Sequence, residues 1–140
     1  MPVRDAVLLD GSLIVERWEG SIDRAALLSR TVERCEDGRI RPGAVLFADY
    51  RAARLAEVTL PSLEELGGVR PRHVRTAILV HEGDWAQARA AEVQVEHEGL
   101  EVACFDPLGR SSREMIEAAC QWLGVDPDLV ESELARLASG

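Results

Sequence analysis

The chain is 140 residues long, carries a formal charge of −9, and has sixteen basic residues that are all arginine. That length is one domain with a core of its own, and the acidic balance excludes the basic footprint that nucleic acid or an anionic membrane surface requires. The lack of lysine excludes phosphate-loop, Schiff-base and receiver-domain chemistries, each of which depends on that residue.

Taken in order, Val7-Leu8-Leu9, Asp10-Gly11 and Ser12-Leu13-Ile14-Val15 predict a β-hairpin with a two-residue turn at Asp10-Gly11, the second strand running to Trp18. Ser21 reads as an N-cap. Behind it, Ala25, Leu28, Val32 and Cys35 fall at helical spacing on one face, up to the stop at Asp37-Gly38. Ala44-Val45-Leu46-Phe47-Ala48-Asp49 is a short apolar run preceded by a Pro-Gly turn, the pattern of a strand buried on both faces. Ala52 to Val58 is irregular by pattern, and Pro61 opens a short helix over Ser62–Leu66. Thr76–Val80 is a second strand of the doubly buried kind, and Asp84 caps a helix whose inward stripe is Trp85, Ala88, Ala91 and Val95. Leu100–Phe105 is the last strand, with Glu101 marking a face or edge that reaches water. Ser111 and Glu114 have capping-box spacing ahead of the stripe Met115, Ile116, Ala119, Trp122 and Leu123. Asp126-Pro127 starts a final helix with the stripe Val130, Leu134 and Leu137.

A hairpin followed by alternating helices and strands predicts an α/β fold. The expected sheet is open, of about five strands, mostly parallel with one antiparallel edge strand, with helices packed on it. Residues 1–140 form a single domain in this reading, with residues 126–140 as an added C-terminal helix. No apolar run is long enough to span a bilayer, so no membrane insertion is expected. Met-Pro-Val-Arg-Asp at the start has no signal-peptide core, and the localisation expected is cytoplasmic. Cys35, Cys104 and Cys120 are odd in number and widely spaced, which suits reduced, mostly buried thiols rather than disulfides or a zinc site. His73, His81 and His97 stand apart from metal-ligand spacings and read as solvent-facing or hydrogen-bonded boundary residues.

Several pieces together resemble the SpoIIAA-like family, a STAS/SEC14-like group of bacterial domains. They are Val45-Leu46-Phe47-Ala48-Asp49-Tyr50-Arg51, Leu60–Leu66, Thr76–Val80 with Trp85–Val95, and Leu100–Asp106 with Trp122-Leu123. The resemblance covers roughly residues 6 to 124, most of one domain. It implies a small open sheet whose consecutive strands are neighbours, wrapped by helices. For function it implies either partner binding, as in anti-sigma-factor antagonists switched by a phosphoserine, or carriage of an apolar or lipid-like ligand, as in SEC14 relatives. The antagonists' phosphoserine follows the strand matched here to 44–49. This chain has Asp49-Tyr50-Arg51-Ala52-Ala53 at that place, without a serine, so the switch does not carry over.

Residues that follow parallel strands gather at the sheet's carboxyl edge, where open α/β folds hold ligands. Asp49, Tyr50, Arg51, Glu82, Asp84 and Trp85 are therefore the expected ligand or partner contacts. Three carboxylates from Asp49, Glu82 or Asp84, and Asp106 would suit Mg²⁺ or Ca²⁺. Against that, cap and turn roles are what aspartate ordinarily fills at such places, and Asp49 can pair with Arg51 or Arg54. No catalytic motif is present, and neither a catalytic residue, a metal nor a cofactor is expected. The function expected is a non-catalytic regulatory or protein-interaction domain, the alternative being a carrier or sensor of a small apolar ligand. Because crossover helices of one hand gather on one face, the other face needs cover. The final helix, an apolar ligand or a second subunit could supply it; the reading favours a homodimer through that face or through the terminal helix, the alternative being a monomer in which helix 21–36 turns back to cover the face.

Overall fold

The computed structural model describes residues 3–55, 74–96, 101–105 and 107–139. Five strands, β1 (Val3–Leu8), β2 (Leu13–Ile22), β3 (Val45–Leu55), β4 (Arg75–Leu79) and β5 (Glu101–Phe105), form one open sheet in the order β1-β2-β3-β4-β5. β1 is antiparallel to β2, and the other three neighbouring pairs are parallel, so the sheet is mixed. Among the described residues the α-helices are α1 (Arg24–Glu36), α2 (Trp85–Glu96), α3 (Ser112–Leu123) and α4 (Pro127–Ser139).

Strand alternation sorts the apolar residues into two cores. Ile14, Trp18, Leu46, Ala48, Tyr50, Ile78, Val80 and Val102 face α1 and α2, where Leu27 and Ala88 meet them. Leu13, Val15, Phe47, Ala77 and Leu79 face the other way, onto Met115, Ile116, Ala119 and Leu123 of α3 and Val130, Leu134 and Leu137 of α4. β3 lies in the middle of both, which is why its run is apolar without alternation. Each large side chain enclosed in this way contributes about 1.5–3 kcal/mol.

The hairpin differs from its predicted form. Leu8 pairs with Leu13, leaving a four-residue connection, and positive φ falls on Leu9 (52°), Asp10 (55°) and Gly11 (90°). The reason lies outside the hairpin. Gly11 presses against the loop after α1, its carbonyl accepting from Arg41 N–H at 2.9 Å, and a Cβ there would lie 2.0 Å from the Arg39 carbonyl oxygen.

Two other boundaries move. Ser21 belongs to β2, and Asp23 is the N-cap of α1, accepting from Ala26 N–H at 2.8 Å. β3 continues past Asp49 to Leu55 because β2 continues beside it to Ile22, after β4 has ended. The register between β2 and β3 steps from Arg17 opposite Asp49 to Glu19 opposite Ala52, so two residues, Tyr50 and Arg51, stand against Trp18 alone. That is a bulge, and it sits at the carboxyl edge. The helix predicted over 62–66 lies outside the described residues.

α3 and α4 close the sheet face that the crossover helices leave bare, so the open face behind the predicted dimer is occupied by this chain's own helices. Arg4 of β1 fastens α4 through the Leu137 carbonyl at 2.9 Å. The Ser111–Glu114 capping box begins α3, and Gly124 ends it with φ 78°. No described helix is long and apolar enough to cross a membrane.

Candidate functional site at the carboxyl edge

Asp49 and Arg51 sit on the α3 side of β3. The Asp49 carboxylate accepts three bonds from Arg51: from N–H (3.0 Å), Nε (2.9 Å) and Nη2 (2.9 Å). Arg51 Nη1 then donates to Ser112 Oγ at 2.7 Å, in the first turn of α3. The bulge makes this geometry by letting residue 51 turn back on residue 49 where no β4 partner remains. Both Asp49 oxygens are thereby engaged, which favours pairing over metal ligation. Among the described residues no group of three His, Cys, Asp or Glu is placed to hold a metal ion. Asp106, the third carboxylate of the metal reading, lies outside them.

Tyr50 points the other way. Its ring lies 5.4 Å from that of Trp18 in the α1/α2 core. Burial, reinforced by nearby Glu16, pushes its phenol well above the ordinary range. Tyr50 is therefore a core residue rather than a contact.

The α2 side of the edge carries the rest. His81 Nδ1 accepts from Gly83 N–H at 3.0 Å and heads a single 3-10 turn, Glu82–Asp84, that runs into α2. Asp84 ends that turn and stands immediately before Trp85, the first residue of α2. The Arg54 guanidinium comes from β3 to within 2.9 Å of His81 Nε2 and donates to the Ala53 carbonyl at 3.0 Å. Glu82 is exposed. Trp85 is half-buried, one side packed on the core, and the Arg89 guanidinium lies 5.9 Å from its ring centroid. The six predicted contacts therefore separate into an Asp49–Arg51 group at α3, a Glu82–Asp84–Trp85 group at α2, and Tyr50 in the core between them.

A charged cluster that the periodicities do not reveal lies deeper on the α1 side. Glu16, at 0 % exposure, points into the core between Ile14 and Trp18. Its Oε2 accepts from Arg30 Nε at 2.7 Å and Arg34 Nη1 at 2.8 Å, and its Oε1 from Trp18 Nε1 at 3.0 Å. Burial alone would raise the Glu16 carboxyl, but the Arg34 and Arg30 guanidiniums outweigh it and hold the group below its ordinary value. Arg30 Nη2 lies 3.2 Å from Asp5 Oδ2, an ion pair whose angle does not make a hydrogen bond. The usable signal was the alternation Ile14-Glu16-Trp18, which places an acid among inward positions.

Two of the thiols are held in the protonated form. Burial, with Glu92 beside it, pushes Cys104 up to about 12, and burial does the same to Cys120. All three cysteines are free of disulfides.

No protein-family model, no curated protein and no solved structure matches this chain.

Proposed function

We propose that this chain is a non-catalytic regulatory or protein-interaction domain of the SpoIIAA/STAS-like kind, acting in the cytoplasm and meeting a partner protein at the carboxyl edge of its sheet. The observation that carries this reading is the character of that edge. Its guanidiniums are held in fixed directions, Arg51 by Asp49 and Ser112, and Arg89 over the half-exposed Trp85. Tryptophan and arginine in fixed positions are the side chains on which protein partners most often depend. Two shifted groups, Glu16 and Tyr50, are enclosed in the core instead of lining a cleft where a substrate would meet them, and Cys104 is packed against that core. The consecutive strand order supports the family resemblance, and the charge of −9 favours a protein over a nucleic acid. The carrier reading draws no support from the two cores, whose sheet and helix side chains pack against each other.

Affinity capture from the source proteome tests the proposal, with Glu82→Arg and Trp85→Ala at the edge and Arg136→Glu on α4 as a remote control. A partner held by the wild type and by Arg136→Glu but lost from both edge variants is the expected result. Capture indifferent to the edge overturns it. So does a small-molecule mass retained by the wild type in native mass spectrometry, which would establish the carrier.

A further inference from the structure

Two groups at the carboxyl edge face each other with protons and no acceptor between them. His81 follows β4, and its Nδ1 accepts from Gly83 N–H at 3.0 Å. The turn holds that amide in place, because Asp84 N–H closes it on the His81 carbonyl at 2.9 Å. An imidazole nitrogen that accepts carries no proton, so the neutral ring has its proton on Nε2. Arg54 Nη2 lies 2.9 Å from that Nε2, and a guanidinium can only donate. A protonated ring would donate from both nitrogens, and the other neutral tautomer would set Nδ1–H against Gly83 N–H. In every form, therefore, a donor meets a donor. The charge is unanswered as well. Arg51 and Arg89 on the same edge face Asp49 and Glu92, whereas Arg54 meets no carboxylate among the described residues. Exposed Glu82, next in sequence to His81, bonds neither group.

We infer that Arg54 and His81 form a binding site for a carboxylate, the side chain of an aspartate or glutamate on the partner protein. The inference rests on the partner reading proposed above and gives that partner its chemistry. A carboxylate has two oxygens in one plane, one for Arg54 Nη2 and one for His81 Nε2–H, so both donors are satisfied at once. Its single charge answers the single unpaired guanidinium. A phosphate would bring a second charge beside Glu82 and onto a chain already at −9, which makes the carboxylate the better match. Half-buried Trp85 begins α2 at the end of the same turn and supplies the apolar contact that a charged anchor at a protein interface requires.

Nuclear magnetic resonance with acetate as the probe tests the site on the wild type and on Arg54→Gln, the ionic strength held constant with chloride. Arg54 is exposed, and circular dichroism checks that the variant is folded. The neutral His81 ring is expected to carry its proton on Nε2. Acetate is expected to move the His81 and Arg54 side-chain signals saturably, with a midpoint on the order of tens of millimolar. Arg54→Gln is expected to raise that midpoint at least about tenfold, and to weaken by a similar factor the partner captured through the carboxyl edge. A ring protonated on Nδ1 overturns the inference, because Arg54 then has its acceptor in His81. So does a wild type indifferent to acetate, or one that chloride perturbs equally. Inorganic phosphate binding more tightly than acetate overturns the choice of carboxylate. Capture that survives Arg54→Gln but fails in Glu82→Arg and Trp85→Ala leaves the edge standing and overturns this site. Acetate binding as expected with no protein captured overturns the partner as the source of the carboxylate.

Discussion

Glu16 shows how one residue binds three elements. It joins β2 to α1 through two arginines and anchors the Trp18 indole, with no exposure to water. Removing only its charge leaves two enclosed cations facing each other. Glu16→Gln should therefore cost about 3–5 kcal/mol in urea unfolding, whereas Glu16→Leu with Arg30→Leu and Arg34→Met should come out near neutral or better. The same site sets an acid dependence. The folded carboxyl titrates below its ordinary 4.5, so its contribution is complete above that value and is lost as pH falls through the folded value. Asp37, held at about 2 chiefly by its hydrogen bonds from Arg39, acts with the same sign, weakened by its contact with water. Urea midpoints taken from about pH 6 to about pH 3 should thus fall more steeply for the wild type than for Glu16→Gln. Thiol labelling checks the other enclosed groups. With Cys104 and Cys120 raised to about 12, native protein should label slowly near neutral pH, and all three cysteines should label once it is unfolded.

At the level of elements, the most demanding position is Gly11. Its φ of 90° and the Arg39 carbonyl 2.0 Å from a would-be Cβ mean that Gly11→Ala must move the hairpin off the loop after α1. A loss of at least about 1–3 kcal/mol in thermal or urea unfolding is expected. Phe47→Ala, in the strand shared by both cores, should cost about 3–5 kcal/mol. α3 and α4 were legible in the sequence because their stripes obey one period and meet one apolar face. α1 was not. Its apolar residues mark a real stripe, but Arg30 and Arg34 are drawn inward by an acid on another strand, and no window along the chain contains that pairing. β3 was read as ending at Asp49 because a charge normally ends a buried strand. Here Arg51 neutralises it from two residues on, and β2 carries the ladder further than β4 does. The Asp49–Arg51 pair was legible for the same local reason, whereas the placing of Tyr50 in the core follows from the bulge, which has no signature in residue type.

For the molecule as a whole, the two-sided sheet makes α4 indispensable. Val130, Leu134 and Leu137 are all buried on it and on its neighbours, and at about 1.5–3 kcal/mol each they match much of a small domain's total stability. A chain ending at Val125 should therefore lose its cooperative thermal transition or precipitate, while Arg136→Glu on the outer face of the same helix should leave the midpoint within about 0.5 kcal/mol of the wild type.

The placing of α3 and α4 at the end of the chain has a consequence for synthesis. When the ribosome has made β5, all five strands exist, yet Leu13, Val15, Phe47, Ala77 and Leu79 still lack their cover. The helices that provide it span residues 112–139, so at about 5–20 residues per second the nascent sheet waits a few seconds with one greasy side bare. During that interval the chain is a natural client for chaperones, and slow codons after position 105 would lengthen its exposure.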